Sequence, residues 1–191
     1  MTEHANPDRH VDVVELLQAQ HARIRVLFDE VVAAQGSERE LCFHELVRLL
    51  AVHETVEEEV VHPYARRTID GGDTVVGERL REEQQAKRAL SRLDGMDVDS
   101  PDFLTRFAAL RQDVLAHADS EERHEFAPLR LAADRSRLEV LARAVQAAEA
   151  LAPTRPHPGA DTALKNVALG PIAVVVDRTR DTVRRVADGH T

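Results

Sequence analysis

Apolar positions recur every three or four residues along almost the whole chain, which is the spacing of a helical stripe. The first stripe, Val14, Leu17, Ile24, Phe28 and Val31, predicts a helix over residues 11–34. Gly36-Ser37 interrupts it, and Ser37 with Glu40 reads as a capping box that opens a second helix. That helix is expected to run to about residue 68 with Leu46, Leu50 and Val60 inward, bent or cut short at Pro63. The loop Asp70-Gly71-Gly72-Asp73 leads into a third helix over 74–93, with Val76, Leu80 and Leu90 inward. Pro101 suits the first position of a fourth, whose inner face carries Phe103, Phe107, Leu110 and Val114. A further helical stretch over 135–151 ends in the Pro-rich run Ala152 to Gly159, and 171–186 is again amphipathic through Ile172, Val175, Val176 and Val183.

Four long helices with short loops predict an all-α fold, an antiparallel up-down four-helix bundle with an additional C-terminal helical extension. The expected division is residues 1–152 for the bundle with its following helix and 153–191 for the rest. That second part reads as a Pro-rich linker and an amphipathic helix packed on the bundle. Composition agrees with helices. Hydrophobic residues make up 43% and aromatics only 3%, so Ala and aliphatic side chains, good helix formers, must fill the core.

Charge and cysteine content narrow the function. A net charge of −9 counts against a nucleic-acid partner, which would call for a basic face. Cys42 is the only cysteine, so disulfides within the chain and thiolate clusters are excluded, and it reads as a small core residue. Any metal must be held by His and carboxylate. The N-terminal residues lack an apolar signal core and no stretch approaches membrane-spanning length, so a cytoplasmic protein with no membrane partner is expected.

Of the ten histidines, only His53 and His117 have a glutamate four residues on, at Glu57 and Glu121. About one such pair is expected by chance, so neither spacing alone is informative. Their placement is. His53 and Glu57 continue the inward row of Leu46 and Leu50, and His117 and Glu121 continue that of Phe107, Leu110 and Val114. Residues four apart share a helix face, so each pair aims an imidazole and a carboxylate into the core. Two buried carboxylates need a counter-charge, which metal ions supply. The arrangement also repeats. His21 lies on the first helix between Leu17 and Ile24, and the matching register on the third helix places Glu83 there, with Gln84 beside it. Each hairpin thus offers a lone residue followed by His-x-x-x-Glu.

This pattern resembles the hemerythrin-like family, or HHE cation-binding domain: one His, then His-x-x-x-Glu, then another His and a second His-x-x-x-Glu. The runs HETVEEEVVHP at His53–Pro63 and HADSEERHEFAPL at His117–Leu129 look like the family, and PTRPHP at Pro153–Pro158 resembles the C-terminal extension of bacterial members. The third histidine of the pattern is replaced by Glu83, read here as an inward-pointing ligand, the alternative being a position filled by water. The resemblance implies metal ligands at His21, His53, Glu57, His117 and Glu121, and the inward register of the third helix adds Glu83 as the sixth. In the family the glutamates bridge two irons. Carried over, His21 and His53 would serve one metal and His117 and Glu83 the other, with Glu57 and Glu121 between them.

Such a ligand set suits two iron ions with an oxo or hydroxo bridge, manganese or zinc being the lesser alternatives. Three carboxylates favour the ferric state over the long-lived diferrous state that oxygen carriage requires. The expected partners are therefore small molecules, H2O2, O2 or NO. Catalase-like or peroxidase-like oxidoreductase chemistry on H2O2, or reaction with NO, is the leading reading. The alternatives are an O2/NO-binding sensor or iron-binding module without turnover, and a metal-free helical interaction protein. No catalytic side chain stands out. Tyr64, two turns beyond Glu57, could reach the centre as a supporting group but reads first as a packing residue. His44, His62 and His124 read as solvated or supporting groups beside the stripes, and Glu54, Glu58 and Glu122 as surface charge that could also orient a ligand histidine. His4, His10 and His157 fall in expected loops or termini and carry no argument.

Overall fold

The computed structural model describes residues 11–151 together with Asp181, and every regular element among them is helical. Helix α1 (Val13–Ala33) and α2 (Gly36–Val56) form the first hairpin, and α2 continues through a π-helical turn (Glu57–Val61) into α3 (His62–Thr68). Helix α4 (Gly72–Ser91) and α5 (Pro101–Glu121) form the second, and α5 continues through its own π-helical turn (Glu122–Phe126) into α6 (Ala127–Ala132). A fifth long helix, α7 (Arg135–Leu151), packs against α1, α2 and the first π turn. The all-α bundle expected from the stripes is therefore present. The proposed linker and terminal helix of residues 153–191 lie, Asp181 apart, outside the described residues.

Local chemistry sets the helix boundaries. Asp12 caps α1 by accepting the Glu15 N–H at 2.9 Å, and Ser100 caps α5 by accepting from Phe103 N, with Pro101 next in line as expected. The expected Ser37–Glu40 box does not form. Helix α2 begins two residues earlier, at Gly36 with φ +57°, and Gly36 N–H donates to the Asp99 carboxylate at 2.9 Å. The cap is thus supplied from the α4–α5 loop, with buried Arg39 binding Asp99, Val31 O and Val98 O. A long-range cap of this kind leaves no local sequence signature.

Pro63 neither ends nor sharply divides the second helix. The irregularity precedes it: His62 N–H bonds to Glu57 O, a five-residue step, and Ala127 N–H bonds likewise to Glu122 O ahead of Pro128. The wider turn has room for a proline ring that would clash with a regular α-helical carbonyl. It also inserts one residue, which rotates everything beyond it.

The core falls into two apolar clusters. One holds Val14, Leu17, Val56, Val61, Phe126, Leu129 and the inner face of α7; the other holds Ile24, Phe28, Leu46, Leu93, Phe103, Phe107 and Leu110. Each such side chain contributes about 1.5–3 kcal/mol by burial. Between the clusters runs a layer of buried polar residues that includes His21, His53, Glu57, His62, Glu83, His117, Glu121 and Glu125. Among the described residues, no helix is long and apolar enough to cross a membrane.

Candidate metal centre

Every helix of the bundle contributes to this layer. His21 comes from α1, His53 from α2, Glu57 from the start of the first π turn, Glu83 from α4, and His117 and Glu121 from α5. All six residues of the expected set are buried and converge on the layer. Two more join them. His62, expected beside the stripe, is 2% exposed at the head of α3, and Glu125 from the second π turn is fully buried. The extra residue in each π turn rotates these side chains inward, a displacement that four-residue spacing does not anticipate.

The histidines share one orientation. Each holds Nδ1 against an oxygen: His21 on Glu122 at 2.7 Å, His53 on Gln20 Oε1 at 2.6 Å, His62 on Glu125 at 2.8 Å and His117 on Glu82 at 2.9 Å. An acceptor on Nδ1 places the proton there and leaves the Nε2 lone pair for a metal. The Nε2 atoms turn toward the central carboxylates. His53 Nε2 lies 3.0 Å from Glu57, His62 Nε2 lies 2.7 Å from Glu83, and His21 Nε2 lies 3.4 Å from Glu121. His117 Nε2 is 3.9 Å from Glu121.

The electrostatics are those of a cation site. Buried atoms without a hydrogen-bond partner include both carboxylate oxygens of Glu57 and of Glu121, Glu83 Oε2, Glu125 Oε2 and His117 Nε2. Burial, reinforced by Glu121 and Glu83, holds the Glu57 carboxyl well above its usual range. Burial also raises Glu125, and it lowers His53 well below an ordinary histidine with help from the facing His21. Against its own burial, His62 is pushed up to about 10 by hydrogen bonds to Glu125 and Glu83. Glu121, likewise against burial, is brought down to about 2 by His21 and the other imidazoles. Carboxylates competing for protons beside inward-facing imidazoles fit a metal, which satisfies both at once.

Ligand atoms within 4.8 Å of one another form three overlapping sets: His21, His53, Glu57 and Glu121; Glu57, His62 and Glu83; and His62, Glu121 and Glu125. Glu57 and Glu121 each belong to two sets, so adjacent positions share carboxylates. A narrow cleft reaches this layer, lined by His21, His53, Glu83 and His117 and walled by Ile24, Leu50, Ala86 and Val114. Glu54 also lines it. Burial raises the Glu54 carboxyl to about 8, while Lys87, ion-paired with Glu54 and Glu58, acts in the other direction.

The other two histidines among the described residues stand apart, His124 exposed and His44 half-buried beside Phe43. Tyr64 packs on the cluster that includes α7, with the Arg137 guanidinium 5.8 Å above its ring, in keeping with a packing role. Of the carboxylates considered for orienting a histidine, Glu122 holds His21 Nδ1, whereas Glu54 and Glu58 pair with Lys87. Gln20, Glu82 and Glu125 carry the same role without having been anticipated. For Gln20 a signal existed in its position directly before His21.

Comparison with known proteins agrees with this fold. A crystal structure of a hemerythrin HHE cation binding domain-containing protein from Mycobacterium kansasii shares the fold, with a TM-score of 0.65 and 20% identity over 92% of this chain and 99% of that one. A curated protein of Nostoc sp. described as a DNA nickase is 26% identical over 121 residues. That stretch is 63% of this chain but 34% of the relative, so the chain matches only about a third of its length. Residues 12–129, which hold all eight buried His and Glu residues of the layer, match the hemerythrin HHE cation binding domain as a family. The chain belongs to that family and is a cation-binding helical module.

Proposed function

We propose that this chain holds two iron ions and consumes hydrogen peroxide in a catalase-like reaction. The single observation that carries the reading is the shared orientation of four histidines around three carboxylates with orphaned oxygens. One position would take His21 and His53, the other His62 and Glu83, joined by His117, which lies outside the three close sets with Nε2 3.9 Å from Glu121; Glu57 and Glu121 would lie between them. The second position thus gains His62 over the set expected from sequence, and Glu125 orients that imidazole through Nδ1.

Two adjacent iron ions supply a two-electron couple. In the overall reaction one H2O2 is oxidised to O2, releasing two protons and two electrons, and a second takes them up to give two H2O. No outside reductant is required. The chain's own residues provide negative charge, access and exclusion. Glu57, Glu83 and Glu121 stabilise the more highly charged metal state by Coulombic attraction in a buried layer. That favours turnover over the persistent reduced state needed for carrying O2. The fourth histidine moderates this bias without removing it. Ile24, Leu50, Ala86 and Val114 line the approach with apolar side chains, which suits a small uncharged molecule such as H2O2.

Iron-loaded protein mixed with hydrogen peroxide should release O2 faster than the same iron free in solution, and His53→Ala should lose the excess. No release above free iron, with His53→Ala indistinguishable from the parent, would sink the proposal. In that event O2 or NO binding without turnover becomes the better reading, recognised by reversible spectral changes of the reduced protein. Nicking of DNA belongs to the Nostoc relative by name. The net charge of −9 weighs against it here, and supercoiled plasmid should stay intact with the loaded protein.

A further inference from the structure

Three of the four inward histidines rest Nδ1 on a carboxylate, and His53 alone rests on an amide, Gln20. The difference has a physical consequence. A carboxylate presents acceptors only, so it fixes the histidine tautomer whichever way it turns. An amide has an accepting and a donating end, and a half-turn exchanges them. With the oxygen on Nδ1, His53 carries its proton there and its Nε2 is left as an acceptor, which in the metal-free chain faces His21 Nε2 at 3.0 Å. With the NH2 group on Nδ1, the proton moves to Nε2 and His53 ceases to be a ligand.

The other end of Gln20 is held. Gln20 is 5% exposed, and its Nε2 donates to Glu149 Oε1 at 2.6 Å. Glu149 lies in the last turn of α7, a helix beyond the family match at residues 12–129. A carboxylate there rejects the flipped amide, which would set oxygen against oxygen.

We infer that Glu149 is a positioning residue of the metal centre: through Gln20 it fixes the His53 tautomer that leaves Nε2 free to bind metal. This inference rests on the reading of His53 as a ligand, and its test separates the two. In metal-free protein, nitrogen-15 NMR should show His53 protonated on Nδ1, and Glu149→Leu should populate the Nε2–H form. Anaerobic titration with ferrous iron should show one of two sites weakened about 10–100-fold in Glu149→Leu. Glu149→Gln, an amide that can pair with Gln20 either way round, should likewise populate the Nε2–H form. Gln20→Glu combined with Glu149→Leu should restore both tautomer and affinity, because the new carboxylate fixes the tautomer by itself. Rescue of that kind is not expected if Glu149 merely packs α7. An unchanged tautomer in Glu149→Leu would overturn the inference whatever the metal content. A parent chain that takes up no iron while its tautomer responds as described would overturn the two-metal reading and leave the hydrogen-bond chain standing.

Discussion

His62 and Phe126 occupy equivalent places in the two halves of the bundle. Each lies as far beyond its His-x-x-x-Glu histidine as the other, His62 directly after its π turn and Phe126 at the end of its own. Phe126 stacks on His21 with ring centroids 5.7 Å apart, and His62 lies against Glu83, the counterpart of His21, at 2.7 Å. The first half pairs a helix histidine with a phenylalanine, and the second pairs a helix glutamate with a histidine. The imidazole missing from α4 is thus supplied across the layer, from α3.

This exchange predicts a swap experiment. His62→Phe should lose one of the two iron ions per chain, leaving the position held by His21 and His53. Adding Glu83→His should restore two, because the second half then repeats the first. Metal analysis of the three proteins checks it, and a double variant no better than His62→Phe would speak against the equivalence.

Glu57 should be a burden to the empty protein and essential to the loaded one. Its two oxygens are buried without partners, and replacing such a group by an apolar one is often neutral or stabilising by about 1–4 kcal/mol. Glu57→Leu is expected to raise the Tm of metal-free protein and to abolish the further rise on adding iron. Thermal unfolding with and without metal reads both effects.

The metal-free protein should lose stability as pH rises from about 7 to about 9. Against its burial, His62 is held up to about 10 by Glu125 and Glu83, so over this range the folded chain keeps a proton that the unfolded chain gives up. Glu54, raised by burial to about 8, adds to the loss in the lower part of the range. His53, depressed below its ordinary value, and Glu121, brought down to about 2, complete their titrations at lower pH and add no slope here. Metal binding should strengthen with pH, since ligands must shed protons first. Opposite pH slopes of Tm for empty and loaded protein are the expected result.

The two core clusters should be separable from the centre. Phe103 is fully buried and stacks on Phe107 at 5.6 Å, in the cluster away from α7. Phe103→Ala should cost about 3–5 kcal/mol in denaturant unfolding and leave the iron count unchanged.

Much of this was legible in the stripes, because a helix that buries one face writes its period into the sequence. His21, His53, Glu57, His117 and Glu121 continue those stripes, and Glu83 follows from the repeat of the hairpins. His62 and Glu125 do not, because each lies beyond or within a π turn whose extra residue shifts the period. The visible trace is a proline one or two residues past the shift, at Pro63 and Pro128, which reads equally well as a helix end. The Asp99 cap and the Glu149–Gln20–His53 chain join residues far apart in sequence, and no local pattern encodes such a contact.

The most direct test of the centre is anomalous scattering at the iron edge from crystals of protein loaded with iron. Two peaks about 3.5–4 Å apart are expected. One should lie against His21 and His53 and the other against His62, His117 and Glu83, with Glu57 and Glu121 between. A single peak, or two peaks with His62 Nε2 still on Glu83 and no metal beside it, would contradict the account.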